Sequence, residues 1–201
     1  MTYRRHVLAA ALCCCLAAPA LAQDAVPFRI RGTIDAVEAH SLQVTSRTGD
    51  KMKVALAPDL GVTAIVATKI ADIQPNSYIG TAALPQSDGT LKALEVQVFP
   101  ENMRGVGEGH RPWDVQPEST MTNGTVGDVV GTSGRTLTLR YKGGEKKVFV
   151  PENVPIITYM PGTPAMLVAG AHVIITAVKK PDGSVVATRI GVGKDGLVPP
   201  M

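Results

Sequence analysis

The chain repeats itself, and the repeat constrains its fold more than any other feature. The stretch beginning Gly32-Thr33-Ile34 returns as Gly124-Thr125-Val126, and Asp88-Gly89-Thr90-Leu91 returns as Asp182-Gly183-Ser184-Val185. The offsets are 92 (124 less 32) and 94 (182 less 88), so register is held to within two residues across the unit. Between these landmarks the order also recurs. Lys53-Val54 ahead of Pro58 answers Lys147-Val148 ahead of Pro151, and Tyr78-Ile79 answers His172-Val173. A supersecondary unit of about 75 residues is present twice, so whatever one copy folds into, the other folds into as well.

Each copy reads as strands. Phe28, Ile30, Ile34 and Ala36 alternate with polar or small residues, as Leu94, Val96 and Val98 do near the end of the first copy and Leu137 and Leu139 in the second. Period-two alternation is the signature of a strand with one buried face. Val173-Ile174-Ile175 is a continuous apolar run, suited to a strand covered on both sides. Turn residues punctuate these segments at Thr48-Gly49-Asp50, Ser87-Asp88-Gly89, Gly143-Gly144 and Pro181-Asp182-Gly183. Gly and Asp tolerate the positive φ of tight hairpins, which makes consecutive strands antiparallel. Only Ala67 to Gln74 and Thr163 to Ala169 suit a helical turn, at the same place in each copy. The expected fold is all-β: two tandem small antiparallel barrels, each with one short helical turn, since closure removes exposed strand edges. The expected division is 1–22 as a signal peptide, 23–101 and 120–201 as the two barrels, and 102–119 as the connection.

A family resemblance adds to this reading. Gly-x-Ile/Val early in the unit, Ala71-Asp72-Ile73 before a strand, and then Asp-Gly-x-x-x-Ala-x-x-x-x-Val resemble a bacterial exported domain-of-unknown-function family whose units look like small OB-like β-barrels. Asp88-Gly89 with Ala93 and Val98 carries the match in the first copy, and Asp182-Gly183 with Ala187 and Val192 in the second. These motifs are turns and core positions, so the resemblance implies an OB-like fold in tandem and no activity. The second copy departs from it at Leu167 to Ala171, where no aspartate answers Asp72.

The N-terminus has the pattern of a secretory signal: Arg4 and Arg5, an apolar stretch from Val7 to Ala18, and Ala20-Leu21-Ala22 as the cleavage triplet. Cleavage there begins the mature chain at Gln23 and removes all three cysteines, Cys13, Cys14 and Cys15. Disulfides, thiolate metal sites and cysteine nucleophiles go with them. The expected location is the periplasm or the exterior, with no membrane span after signal removal. The mature chain carries 18 basic residues (20 less Arg4 and Arg5) against 17 acids, a net +1, and no run of Lys or Arg exceeds two. Nucleic acid is therefore not an expected partner, because the chain has no concentrated basic face and its aromatic residues are scattered.

Between the copies lies the least repetitive stretch, Asn102 to Thr120, which holds the only tryptophan. A flexible spacer favours Gly, Ser or Pro, whereas this one carries Arg104, Glu108, His110, Arg111, Trp113 and Asp114. Three readings follow. It is an interdomain clasp with Trp113 filling an apolar gap and Arg104 or Arg111 pairing with Glu108 or Asp114. It is a ligand-binding loop held by rigid barrels. Or it is a metal site in which His110 joins Met103 and Met121 for a soft cation, or Glu108 and Asp114 for a harder one. No catalytic constellation is visible. Gly191-Val192-Gly193-Lys194-Asp195-Gly196 fits the dinucleotide pattern but has only five residues after it and no helix to receive a pyrophosphate. The expected function is a non-catalytic binding or interaction module of the cell envelope, without a cofactor, whose partner is an envelope protein or a small ligand. The alternative is an envelope metal-handling protein centred on His110.

Overall fold

A computed structural model describes residues 26–130 and 135–200, so the expected signal peptide lies outside the described residues. The first copy supplies β1 (Phe28–Glu38), β2 (Ser41–Ser46), β3 (Lys51–Ala67), β4 (Tyr78–Pro85) and β5 (Leu91–Val98). The connection carries the short β6 (Gly109–Pro112). The second copy supplies β7 (Thr120–Val130), β8 (Thr136–Tyr141), β9 (Gly144–Phe149), β10 (Ile156–Pro161), β11 (His172–Lys179) and β12 (Val185–Gly193). Every described helical segment is a three-residue 3-10 turn, so the chain is all-β. Among the described residues no helix is long and apolar enough to cross a membrane.

The tight turns fall where glycine permits positive φ, at Gly49, Gly89, Gly143 and Gly183. Asp88 and Asp182 brace equivalent hairpins in the same way: each Oδ1 accepts the main-chain N–H two residues on, at 2.9 Å, and the hydroxyl of Thr90 or Ser184. The 3-10 turns Ile70–Asp72 and Pro164–Met166 lie within the two expected helical segments. Each sets apolar side chains against a barrel core, Ile70 with Ile73 in one and Met166 with Leu167 in the other.

Two five-stranded circuits close, but neither is made by one copy. In the first, β1 pairs β2, β2 pairs β3, β3 pairs β12 in parallel, β12 pairs β11, and β11 returns to β1. In the second, β7 pairs β8, β8 pairs β9, β9 pairs β5 in parallel, β5 pairs β4, and β4 returns to β7. Each copy thus gives its first strands to one barrel and its last two to the other. The expectation that 23–101 and 120–201 each close a barrel of their own does not match this pairing. The cause is β3, which runs for 17 residues. Its first half pairs β2 inside one barrel, and its second half continues out to pair β10 antiparallel, Ile65 opposite Tyr159. A strand that leaves its barrel delivers whatever follows it, here β4 and β5, to the neighbour.

The exchange is reciprocal. Ile190 pairs Val62 as Val96 pairs Ile156, and both members differ by 94 (190 less 96, 156 less 62). Thr33 pairs His172 as Thr125 pairs Tyr78. The pair Ile65 and Tyr159, itself 94 apart, is its own image, so an internal pseudo-two-fold passes through the β3–β10 crossing. The two cores correspond position by position: Ile34 with Val126, Val54 with Val148, and Ile190 with Val96 are all fully or almost fully buried.

Candidate functional site

The seam on which the barrels meet is built from the second half of β3 with β10, flanked by β12 and β5. Ile65, Ile157 and Ile174 cluster there, apart from both barrel cores. Ile174 comes from the apolar run of β11, whose neighbours Val173 and Ile175 enter a barrel core, as a strand covered on both faces requires. At the seam is a cleft of about 430 Å³, lined by Ile65, Phe99 and Tyr159 and by Arg29, Arg189 and Met121. The Phe99 and Tyr159 rings stack at 5.6 Å with 16° between their planes.

The connecting segment contributes to the lining of this cleft. β6 pairs β7, so its side chains alternate between two faces. Arg111 and, just beyond the strand, Trp113 line the cleft. His110 does not; its Nδ1 lies 2.8 Å from Thr122 Oγ1 and its ring is 6.4 Å from that of Tyr141, while burial lowers its pKa. Ser119 holds the Trp113 turn, its carbonyl accepting from Trp113 N–H at 2.8 Å and its hydroxyl donating to the Trp113 carbonyl at 3.0 Å. Asn123 Nδ2 and the Tyr78 hydroxyl both donate to the Val106 carbonyl. Gly80 makes room for Asn123: a Cβ there would lie 2.6 Å from Asn123 Oδ1.

The six residues singled out by sequence therefore divide. Arg111 and Trp113 are at the cleft, and Asp114 is beside it, accepting two hydrogen bonds from Arg31 of β1, at 2.7 and 3.2 Å. That contact holds the Asp114 carboxyl below the usual range. Arg104 and Glu108 are elsewhere. Arg104 pairs with Glu101 and reaches the Asn76 carbonyl, and Glu108 accepts from the Lys142 N–H at 2.8 Å. The expected clasp pairs of Arg104 or Arg111 with Glu108 or Asp114 do not form; Arg31 does that work. Trp113 is mostly buried, with the Arg29 guanidinium 4.1 Å from its ring centre and that of Arg111 at 5.1 Å. Its Nε1 is shielded from solvent with no acceptor among the described residues.

The cleft is strongly cationic. Arg29, Arg111 and Arg189 line it, and none has an ion-pair partner among the described residues. Burial lowers the Arg29 pKa, and Arg31, Arg111 and Arg189 lower it further against the attraction of Asp114, so these cations crowd one another. Beneath them the Tyr159 hydroxyl donates to Gln97 Oε1, and Gln97 Nε2 donates to Glu95 Oε1 at 2.7 Å. Glu95 is 2% exposed and its Oε2 has no partner among the described residues.

No family model, no curated protein and no solved structure matches this chain. The molecule itself supplies a comparison instead. The internal two-fold sets Arg29 against Met121, Arg31 against Asn123, Glu95 against Arg189 and Gln97 against Gly191. Charge thus gathers where the copies differ. Sequence reasoning passed over Arg29, Arg189, Glu95 and Tyr159; aligning the two copies on their turns and asking where charge changes would have marked the first three.

Proposed function

We propose that this protein is a non-catalytic, exported binding module of the cell envelope whose interbarrel cleft holds a small organic anion. The observation that carries the reading is the convergence of Arg29, Arg111 and Arg189 on one cleft without ion-pair partners among the described residues. Like charges this close repel, and a bound anion relieves the repulsion while gaining charge-assisted hydrogen bonds. The apolar lining residues Ile65 and Phe99 suit a ligand with an apolar body beside its charged head, the usual composition of a small-molecule site. The buried Trp113 Nε1 is a further donor for it.

Export rests on the Arg4-Arg5 start, the apolar stretch and the Ala20-Leu21-Ala22 triplet, and the OB-like family reading on closed five-stranded barrels with Asp-Gly turns. The metal alternative finds little support at His110, whose ring meets Thr122 and Tyr141. Among the described residues no three His, Cys, Asp or Glu side chains gather as ligands.

Trp113 is the only tryptophan and lines the cleft, so its emission reports occupancy directly. Titration with 1-naphthalenesulfonate should quench it saturably, more weakly as salt rises, and Arg111→Ala should weaken binding about tenfold, the loss of one charged hydrogen-bond donor. Quenching that never saturates, or that Arg111→Ala leaves unchanged, contradicts the reading.

A further inference from the structure

Glu95 is an acid in the wrong place for a barrel. Its image in the other barrel is the exposed Arg189, so the shared fold does not call for a carboxyl there. The seam covers the outer face of β5, and Glu95 is buried, with one oxygen bonded to Gln97 and the other without a donor among the described residues. Gln97 and its hydrogen-bond partner Tyr159 both line the cleft, so the carboxyl stands one side chain behind the cleft wall. The charged groups that face it are Arg31 of β1 and Arg47 of the β2–β3 turn. Both have other partners, Asp114 for Arg31 and the carbonyls of Pro199 and Pro200 for Arg47. From β10 it is faced by Tyr159, whose phenol burial and Glu95 together hold protonated.

We infer that Glu95 is a proton-responsive charge behind the wall of the anion cleft: as a carboxylate it repels a bound anion across Gln97 and Tyr159, and as a neutral acid it does not, so anion and proton are captured together. This rests on the anion reading above. Burial pushes the Glu95 carboxyl up to about 7, against the opposing pull of the Gln97 hydrogen bond and of Arg31 and Arg47. The switch therefore falls near neutral pH. Binding and protonation are reciprocal: an anion that binds better to the neutral acid must raise the carboxyl's proton affinity by the same factor. A unit charge about 12 Å from a bound anion, acting through an effective dielectric of about 20, changes affinity by about tenfold.

The probe is 1-naphthalenesulfonate, whose own charge is fixed between about pH 5.5 and 8.5, so any pH dependence belongs to the protein. Calorimetric titration of the wild-type chain near neutral pH, in two buffers of different ionisation enthalpy, should show net proton uptake on binding. Affinity should be about tenfold weaker at the alkaline end than at the acid end. Glu95→Gln should abolish both the uptake and the slope, with affinity held at the acid-end value. Wild-type uptake is read without the variant, so a poorly folding Glu95→Gln does not remove the test. Binding without proton uptake, or a slope that persists in Glu95→Gln, overturns this inference and leaves the anion cleft standing. Failure of the wild type to bind at any pH overturns both.

Discussion

The two barrel interiors and the two sides of the seam between them have diverged to different extents. Inside the barrels, Ile34 answers Val126, Val54 answers Val148 and Ala187 answers Ala93, all buried and all apolar. At the seam, Arg29 answers Met121, Arg31 answers Asn123 and Glu95 answers Arg189. A closed barrel must fill its interior to crystalline density whichever copy supplies the strands, so its inward positions have little freedom. The outer faces carry no such demand until two barrels meet on them. The cleft is therefore a region where the repeat could acquire chemistry without unmaking either fold.

The interiors offer the largest test of this contrast. Ile34→Ala should cost about 2–4 kcal/mol and Val126→Ala somewhat less, each through lost burial and the cavity left behind. Because each barrel borrows strands from the other copy, both variants should still melt in a single transition by calorimetry. Two resolved transitions in Ile34→Ala would mean that the barrels are independent.

At the seam the images should behave unlike each other. Glu95 holds its proton up to about 7 in the folded protein, whereas an unfolded glutamate loses it near 4.3. Between those values the native state binds more protons than the unfolded one, so stability falls as pH rises through this window. Glu95→Gln removes that fall and should be more stable than wild type by on the order of 3–4 kcal/mol at pH 8, with no advantage at pH 4. Arg189→Gln, at the exposed image position, should stay within about 0.5 kcal/mol of wild type at both. Urea denaturation at the two pH values decides it; equal effects of the two substitutions would erase the contrast.

Strand positions and the four glycine turns were legible because each rests on local chemistry, alternation or positive φ, and the two 3-10 turns because they recur at the same place in each copy. The strand exchange was not, because a strand from either copy presents the same inward pattern to the same neighbours. Alternation also misled at one place. Leu94, Val96 and Val98 read as the buried side of β5, yet Glu95 and Gln97 are as buried as Val96, since the seam covers the face that an isolated barrel would turn to water. Trp113 and Arg111 stood out by composition in a connection that needed neither. Arg29, Arg189 and Glu95 sat in ordinary outward strand positions and became a site only through the exchange.

That exchange is tested most directly by cross-linking. The chain from Gln23 onward has no cysteine, so introduced pairs report without interference. Thr33 lies opposite His172, with their side chains in contact at 3.0 Å. In barrels closed by single copies, Thr33 would instead lie opposite Tyr78. Under mild oxidation, Thr33→Cys with His172→Cys should form a disulfide, seen by peptide mass after digestion, and Thr33→Cys with Tyr78→Cys should stay reduced. A disulfide in the second pair and none in the first would contradict the exchanged barrels and, with them, the cleft.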